Sequence, residues 1–303
     1  MKSFYSLLLL LFLVSVNAEN LKIITLSGIA EGHKKNNVII WNDIPYAEPP
    51  IGDMRWKAPR KINQNSNLIQ PKDNNFCIQR TSSLGGSSQF SDDLISGTED
   101  CLYLDIYAPT KNSKKLLPVM FWIHGGGNTS GLKDLYDFSK FVRKHNVIVV
   151  TINYRLGPLG WFTHPSIQNL QNGIDRTSNF GTLDIIAALE WVNENINSFG
   201  GDSNNITIFG ESAGGHNVLS LLVSSKAKGL FHKAISMSGY TESISLEDAY
   251  RQKEQSPTSN YSSWEVVNKI IKDKSGKNIQ DQHTPEEIRK ILYSLSGKEF
   301  FQF

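Results

Sequence analysis

Residues 210–214 read Gly-Glu-Ser-Ala-Gly, and no other stretch of the chain restricts its fold so tightly. An apolar run, residues 206–209, precedes them and another, residues 218–223, follows. A serine on a sharp strand-to-helix turn must adopt strained dihedrals, so the positions two away on either side have to be small. Gly210 and Gly214 meet that demand. The turn lifts the Ser212 hydroxyl above a sheet and aims the N-terminus of the next helix at it.

The remaining periodicity supplies the sheet. Residues 102–107 alternate as a strand, and residues 119–123, 147–152, 206–209 and 234–237 are short apolar runs. The later runs lack alternation, as strands covered on both faces do. Leu189, Val192 and Ile196 recur at helical spacing, and Gly200-Gly201 ends that helix. Strands and helices in series predict an α/β fold: a mostly parallel, doubly wound central sheet with helices on both faces. Beyond Tyr240 the texture becomes charged and Ser-rich, with a helix expected near residues 264–272. Thr284 as cap, Pro285 at the first position and Glu287 at the third predict another. The chain closes on Phe300-Phe301-Gln302-Phe303, which reads as an exposed patch awaiting a cover.

Other features set the compartment. Lys2 followed by the apolar residues 7–16 and Val16-Asn17-Ala18 predicts a cleaved signal over residues 1–18, leaving a single domain over residues 19–303. No run of eighteen apolar residues predicts a membrane span. The net charge of +2 offers no field for nucleic acid or a membrane surface. Cys77 and Cys101 are the only cysteines. An oxidising compartment favours joining them, two free thiols being the alternative. Glycosylation sequons occur at Asn128, Asn205 and Asn260. Asn260, in a Ser-rich loop, is the glycan candidate.

A second chemical element is His124-Gly125-Gly126-Gly127, directly after the run at residues 119–123. Acyl transfer builds negative charge on a carbonyl oxygen, and backbone N–H groups stabilise it where no side chain blocks approach. A glycine run at a strand end provides such donors, and an elbow downstream completes a hydrolase arrangement. This chemistry calls for no cofactor and no metal.

The segments Phe209-Gly210-Glu211-Ser212-Ala213-Gly214-Gly215 and Glu99-Asp100-Cys101-Leu102-Tyr103-Leu104-Asp105 resemble the two signatures of the type-B carboxylesterase and lipase family, which includes the cholinesterases. Supporting segments, from Ile44-Pro45-Tyr46-Ala47 through Asn153-Tyr154-Arg155-Leu156-Gly157 to the stretch at residues 228–236, keep the same order. The resemblance covers about residues 23–239 and implies an α/β-hydrolase fold acting on a small-molecule ester. It implies that Ser212 is the acyl-forming nucleophile. Gly126, Gly127 and Ala213 would offer oxyanion-hole N–H groups. Cys77 and Cys101 would form the first disulfide, and Arg55 would pair with Glu99 in a structural salt bridge. Glu211 would tune the field of the pocket without taking the proton.

The chain departs from that pattern in places. Asn128 replaces the aromatic residue that commonly follows the glycine run, and Ile185 stands where a glutamine is usual after Asp184. The ring between the cysteines lacks the tryptophan that cholinesterases use against a quaternary ammonium, so a cholinesterase is not expected.

A serine hydroxyl needs a base, and the base an acid, which in this fold follow the serine in the order acid then histidine. Downstream lie only His216, His232 and His283. His216 sits four residues into the serine's own helix, His232 belongs to a packing segment, and His283 precedes a helix cap. His124 reads as a shaper of the glycine loop. The sequence therefore predicts a secreted carboxylic-ester hydrolase that carries nucleophile and oxyanion hole without its base, as in a truncated product lacking the last strands of the sheet. A non-catalytic esterase-like binding or adhesion module, or an inactive fragment, is the alternative.

Overall fold

A computed structural model of the protein describes residues 21–85, 94–110, 115–251, 262–276 and 283–303. The expected signal, residues 1–18, and the glycan candidate Asn260 lie outside these. After a small hairpin, Lys22–Thr25 with Gly28–Glu31, the chain builds one seven-stranded sheet. Its strands are β1 (His33–Lys35), β2 (Val38–Pro45), β3 (Tyr103–Pro109), β4 (Leu117–Ile123), β5 (Ile148–Ile152), β6 (Gly201–Glu211) and β7 (Lys233–Met237). The spatial order is β7-β6-β4-β5-β3-β2-β1.

The half that carries the serine turn is parallel: β5 with β4, β4 with β6, and β6 with β7. The other half, β1, β2 and β3, joins by antiparallel pairing, with β3 also antiparallel to β5. Ile148, Val149 and Val150 are consecutive and all fully buried, which requires cover on both faces and explains why no alternation marks β5. β3 shows the opposite case. Its sequence alternates, yet Asp105 is as buried as Leu104 and Ile106. The Lys133 ammonium reaches inward to Asp105, 2.9 Å away, and to Asp43 and Asp134 at the same distance, so the carboxylate is neutralised inside the fold.

Five longer helices follow, α1 (Ser139–His145), α2 (Phe180–Asn195), α3 (Ala213–Val223), α4 (Ser263–Ser275) and α5 (Pro285–Ser294). Of these, α1, α2 and α3 pack on the sheet while α4 and α5 pack in a second core. α2 starts well before Leu189 and is buried nearly all round, with Ile185 inside the main core. α5 begins as expected, Thr284 accepting from Glu287 N–H in a reciprocal capping box with Pro285 behind it. α4 runs three residues past the expected end and carries its own capping box, Ser262 with Glu265.

The expectation of an exposed phenylalanine ending is corrected. Phe300 and Phe301 are buried in a second core with Trp56, Phe162, Phe180 and Leu292. The reason is room. Gly157, at φ +50°, has no Cβ, and a Cβ there would sit 2.7 Å from the Phe301 ring. Phe303 is half-buried, with the Lys269 ammonium 5.6 Å from its ring centre. Cys77 and Cys101 are joined in a disulfide, so the free-thiol alternative is set aside. At the opposite edge of the sheet, β7 carries exposed Ile235 and Met237.

Candidate active site

Ser212 sits between β6 and α3 with φ 57° and ψ −121°, a strained conformation for a residue with a side chain. The turn is held from three sides. Ser212 N–H donates 2.9 Å to Met237 O on β7, and His216 N–H donates 3.0 Å to Ser212 O as α3 begins. A Cβ on Gly214 would lie 2.1 Å from Ile123 O, and one on Gly210 would lie 2.5 Å from the Gly214 backbone. Glycine at both places lets the turn press onto the end of β4. Ser212 is left half-buried.

The glycine loop begins at that same end of β4. Gly126, Gly127 and Gly131 have φ of +99°, +64° and +115°. The Gly126 carbonyl accepts from Thr129 N–H (3.1 Å) and Ser130 N–H (3.0 Å). Because a trans peptide sets C=O and N–H on opposite sides, the Gly127 N–H faces away from that turn. Gln79 fixes the far end, its Oε1 accepting from Gly131 N–H (2.8 Å) and its Nε2 donating to Gly131 O (2.9 Å). A Cβ built on Gly125 would stand 3.3 Å from the Ser212 Cβ, so loop and elbow are in contact. No backbone or side-chain acceptor among the described residues takes the N–H of Gly126, Gly127 or Ala213. Ala213 opens α3, where the first N–H groups have no intrahelical partner. The arrangement can place donors around an oxygen next to a serine hydroxyl.

The histidines are engaged elsewhere. His124 is fully buried, its Nδ1 2.8 Å from Gly125 O and its ring stacked on Tyr154 at 4.4 Å. Burial pushes its pKa down to about 4, so the ring is neutral. His216 Nδ1 lies 2.7 Å from Tyr240 O, with the two rings 4.4 Å apart. His232 Nδ1 accepts from Ile206 N–H at 3.2 Å, and His283 stands just before α5. No imidazole among the described residues hydrogen-bonds Ser212. Glu211 is exposed beside the turn. Among the described residues no group of three His, Cys, Asp or Glu side chains suits a metal ion.

Arg55 and Glu99 meet in a bidentate pair, with Nε to Oε2 at 2.6 Å and Nη2 to Oε1 at 2.5 Å. Arg155 pairs likewise with Asp184, at 2.8 and 2.7 Å. The structure also brings in residues that the sequence did not single out. Asn217 of α3 and Tyr154 after β5 both reach Asn128. Their segments lie far apart in the chain, and no local pattern links them.

The sequence profile of the Carboxylesterase family matches residues 16–297. The para-nitrobenzyl esterase of Bacillus subtilis is 44% identical over 225 residues, 73% of this chain and 44% of that protein. The liver carboxylesterase of Sus scrofa is 39% identical over 236 residues, 74% of this chain and 39% of its own length. Among solved structures, a thermophilic pNB esterase superposes with a TM-score of 0.72 at 35% identity, covering 93% of this chain and 52% of that one. A Geobacillus stearothermophilus carboxylesterase superposes with a TM-score of 0.70 at 32% identity, with the same coverages. The chain thus spans about half the length of these solved relatives and less than half of the two esterases above. On this match of sequence and α/β-hydrolase architecture, the chain belongs to the carboxylesterase family.

Proposed function

We propose that the chain carries the nucleophilic half of a serine carboxylic-ester hydrolase, acting on a small-molecule ester through an acyl-enzyme at Ser212. The observation that carries this reading is the contact between a strained serine and a glycine loop in which the N–H groups of Gly126 and Gly127, like that of Ala213, have no acceptor among the described residues.

In this reading the Ser212 Oγ attacks the ester carbonyl carbon, and the carbonyl π pair moves onto oxygen. Gly126, Gly127 and Ala213 donate to that oxygen, stabilising charge that exists only in the transition state and intermediate. Collapse expels the alkoxide, which takes a proton from solvent to leave as the alcohol, and an ester remains on Ser212. Water then attacks that ester to release the acid, and the serine oxygen regains a proton from solvent. Gly125 must be glycine for the loop to approach, since a Cβ there would stand 2.6 Å from Glu211 O. With no described imidazole on Ser212, its proton passes to solvent. The expected rate is that of an elbow and oxyanion hole without a base, about 10³-fold over water.

We place the protein in the secretory pathway or outside the cell, entering through the segment at residues 1–18, with residues 19–303 as one domain. The Cys77–Cys101 disulfide supports an oxidising compartment. Among the described residues no imidazole reaches Ser212, so a second reading, a non-catalytic module that binds a partner on the esterase scaffold, is tested beside the first.

Hydrolysis of p-nitrophenyl butyrate by the chain separates the two. Slow turnover that falls at least about tenfold in Ser212→Ala supports the hydrolase reading. Equal turnover by the two proteins contradicts it.

A further inference from the structure

The oxyanion donors assigned above come from two separate pieces of chain. Gly126 and Gly127 belong to the loop after β4, and Ala213 belongs to α3. Three donors around one oxygen act together only if loop and helix keep a fixed separation, because misplacement by an ångström removes most of the benefit. Backbone contact near Gly125 brings the two pieces together, but van der Waals contact alone does not fix the loop along the helix axis.

One side-chain hydrogen bond does. Asn217 Nδ2, one turn into α3, donates 2.9 Å to Oδ1 of Asn128, the residue after Gly127. Among the described residues this is the only side-chain hydrogen bond that joins residues 125–131 to α3. Asn217 is 2% exposed, so its amide has little access to water. Tyr154, fully buried, lies beneath the pair. Its hydroxyl donates 2.7 Å to His124 O and stands 3.3 Å from Asn128 Oδ1. The Asn128 carbonyl in turn accepts from Gly157 N–H at 2.7 Å. Asn128 thus receives the helix on its side chain and the segment after β5 on its backbone.

The residue type suits the task. Asn128 has φ +58°, a left-handed conformation that asparagine tolerates far better than aromatic or branched residues. At this one position the chain needs a side chain that is short, accepts a hydrogen bond and sits at positive φ. Asparagine meets all three conditions.

We infer that Asn128 and Asn217 form a polar latch that holds the glycine loop in register with α3, making both positioning residues for the oxyanion hole. The inference rests on the hydrolase reading for its catalytic consequence and on the hydrogen bonds alone for its structural one. Asn128 touches no reacting atom in this account. Its effect runs through the placement of Gly126 and Gly127.

The test uses the full chain and two readouts. Amide hydrogen exchange at Thr129, Ser130 and Gly157, whose acceptors are the Gly126 and Asn128 carbonyls, reports the order of the loop. Turnover of p-nitrophenyl butyrate, split into kcat and KM, reports the donors. In Asn217→Leu, exchange at those three amides accelerates about tenfold, the worth of one hydrogen bond, while the Lys22–Glu31 hairpin is unchanged. The same variant lowers kcat by about tenfold with KM within about twofold, the pattern of an interaction made in the transition state. Asn128→Asp keeps the acceptor and the backbone tolerance, and retains wild-type exchange. Asn217→Ala serves if the leucine variant does not fold. Unaltered exchange in a folded Asn217 variant overturns the latch. Accelerated exchange in a protein whose wild type shows no Ser212-dependent turnover sustains the latch and removes the hydrolase reading instead.

Discussion

Arg55 Nη1 donates 2.8 Å to the carbonyl oxygen of Leu295, which follows α5, while the other face of the same guanidinium grips Glu99. The side chain therefore joins the ring closed by Cys77 and Cys101 to the C-terminal helical layer. Leu292 O, 3.5 Å away, shares the same nitrogen. A guanidinium at a helix C-terminus satisfies carbonyls that lack a partner and opposes the dipole.

Removing Arg55 leaves the mostly buried Glu99 carboxylate unpaired and the end of α5 uncapped. Arg55→Met, which keeps much of the stem volume, is expected to lower unfolding free energy by about 3 kcal/mol. Hydrogen exchange in α5 is expected to rise before exchange in β4 or β5 does. Urea denaturation and exchange measured by mass spectrometry check both.

Joining Cys77 to Cys101 closes a ring that contains Glu99. Loop closure of about 25 residues restricts the unfolded chain by roughly 3 kcal/mol. Cys77→Ala/Cys101→Ala is expected to lose about that amount, and so is the reduced wild type. Equal urea midpoints with and without reductant would show that the ring contributes nothing.

Two buried histidines give the protein an acid limit. Burial lowers the pKa of His124 and of His164 to about 4, against an unfolded value near 6.5. Between those values the unfolded chain binds more protons than the folded one, so stability falls as the pH drops from about 6.5 to 4. Each site contributes up to about 3 kcal/mol across that window. His164 stacks on Trp264 and accepts from Ser166 N–H through Nδ1. His164→Gln is expected to flatten the acid limb of a plot of urea midpoint against pH.

Much of this architecture is legible in the sequence, for reasons specific to each element. The runs at residues 119–123, 147–152 and 206–209 are legible as strands because short, mostly apolar runs rich in β-branched and aromatic residues suit burial on both faces of a parallel sheet. The cap of α5 is legible because Thr284, Pro285 and Glu287 act locally. Burial of Phe300 and Phe301 was not, since it depends on the space that Gly157 leaves in a distant segment. Nothing in the residues around Lys133 signals that it is buried. Its burial requires carboxylates from residues 43, 105 and 134, which only the tertiary fold assembles. The same holds at the site. Ser212 and the glycine loop carry their geometry in adjacent residues, whereas the Asn128–Asn217 bond spans 89 residues and leaves no trace in either segment.

An acyl-forming Ser212 set beside oxyanion donors has a direct chemical signature. Reaction of the folded chain with an alkyl fluorophosphonate, followed by peptide mass mapping, tests it most directly. The expected result is an adduct at Ser212 that is absent in urea-unfolded protein and in Ser212→Ala. An unmodified Ser212 in folded protein after prolonged reaction, or labelling that Ser212→Ala does not change, would contradict it.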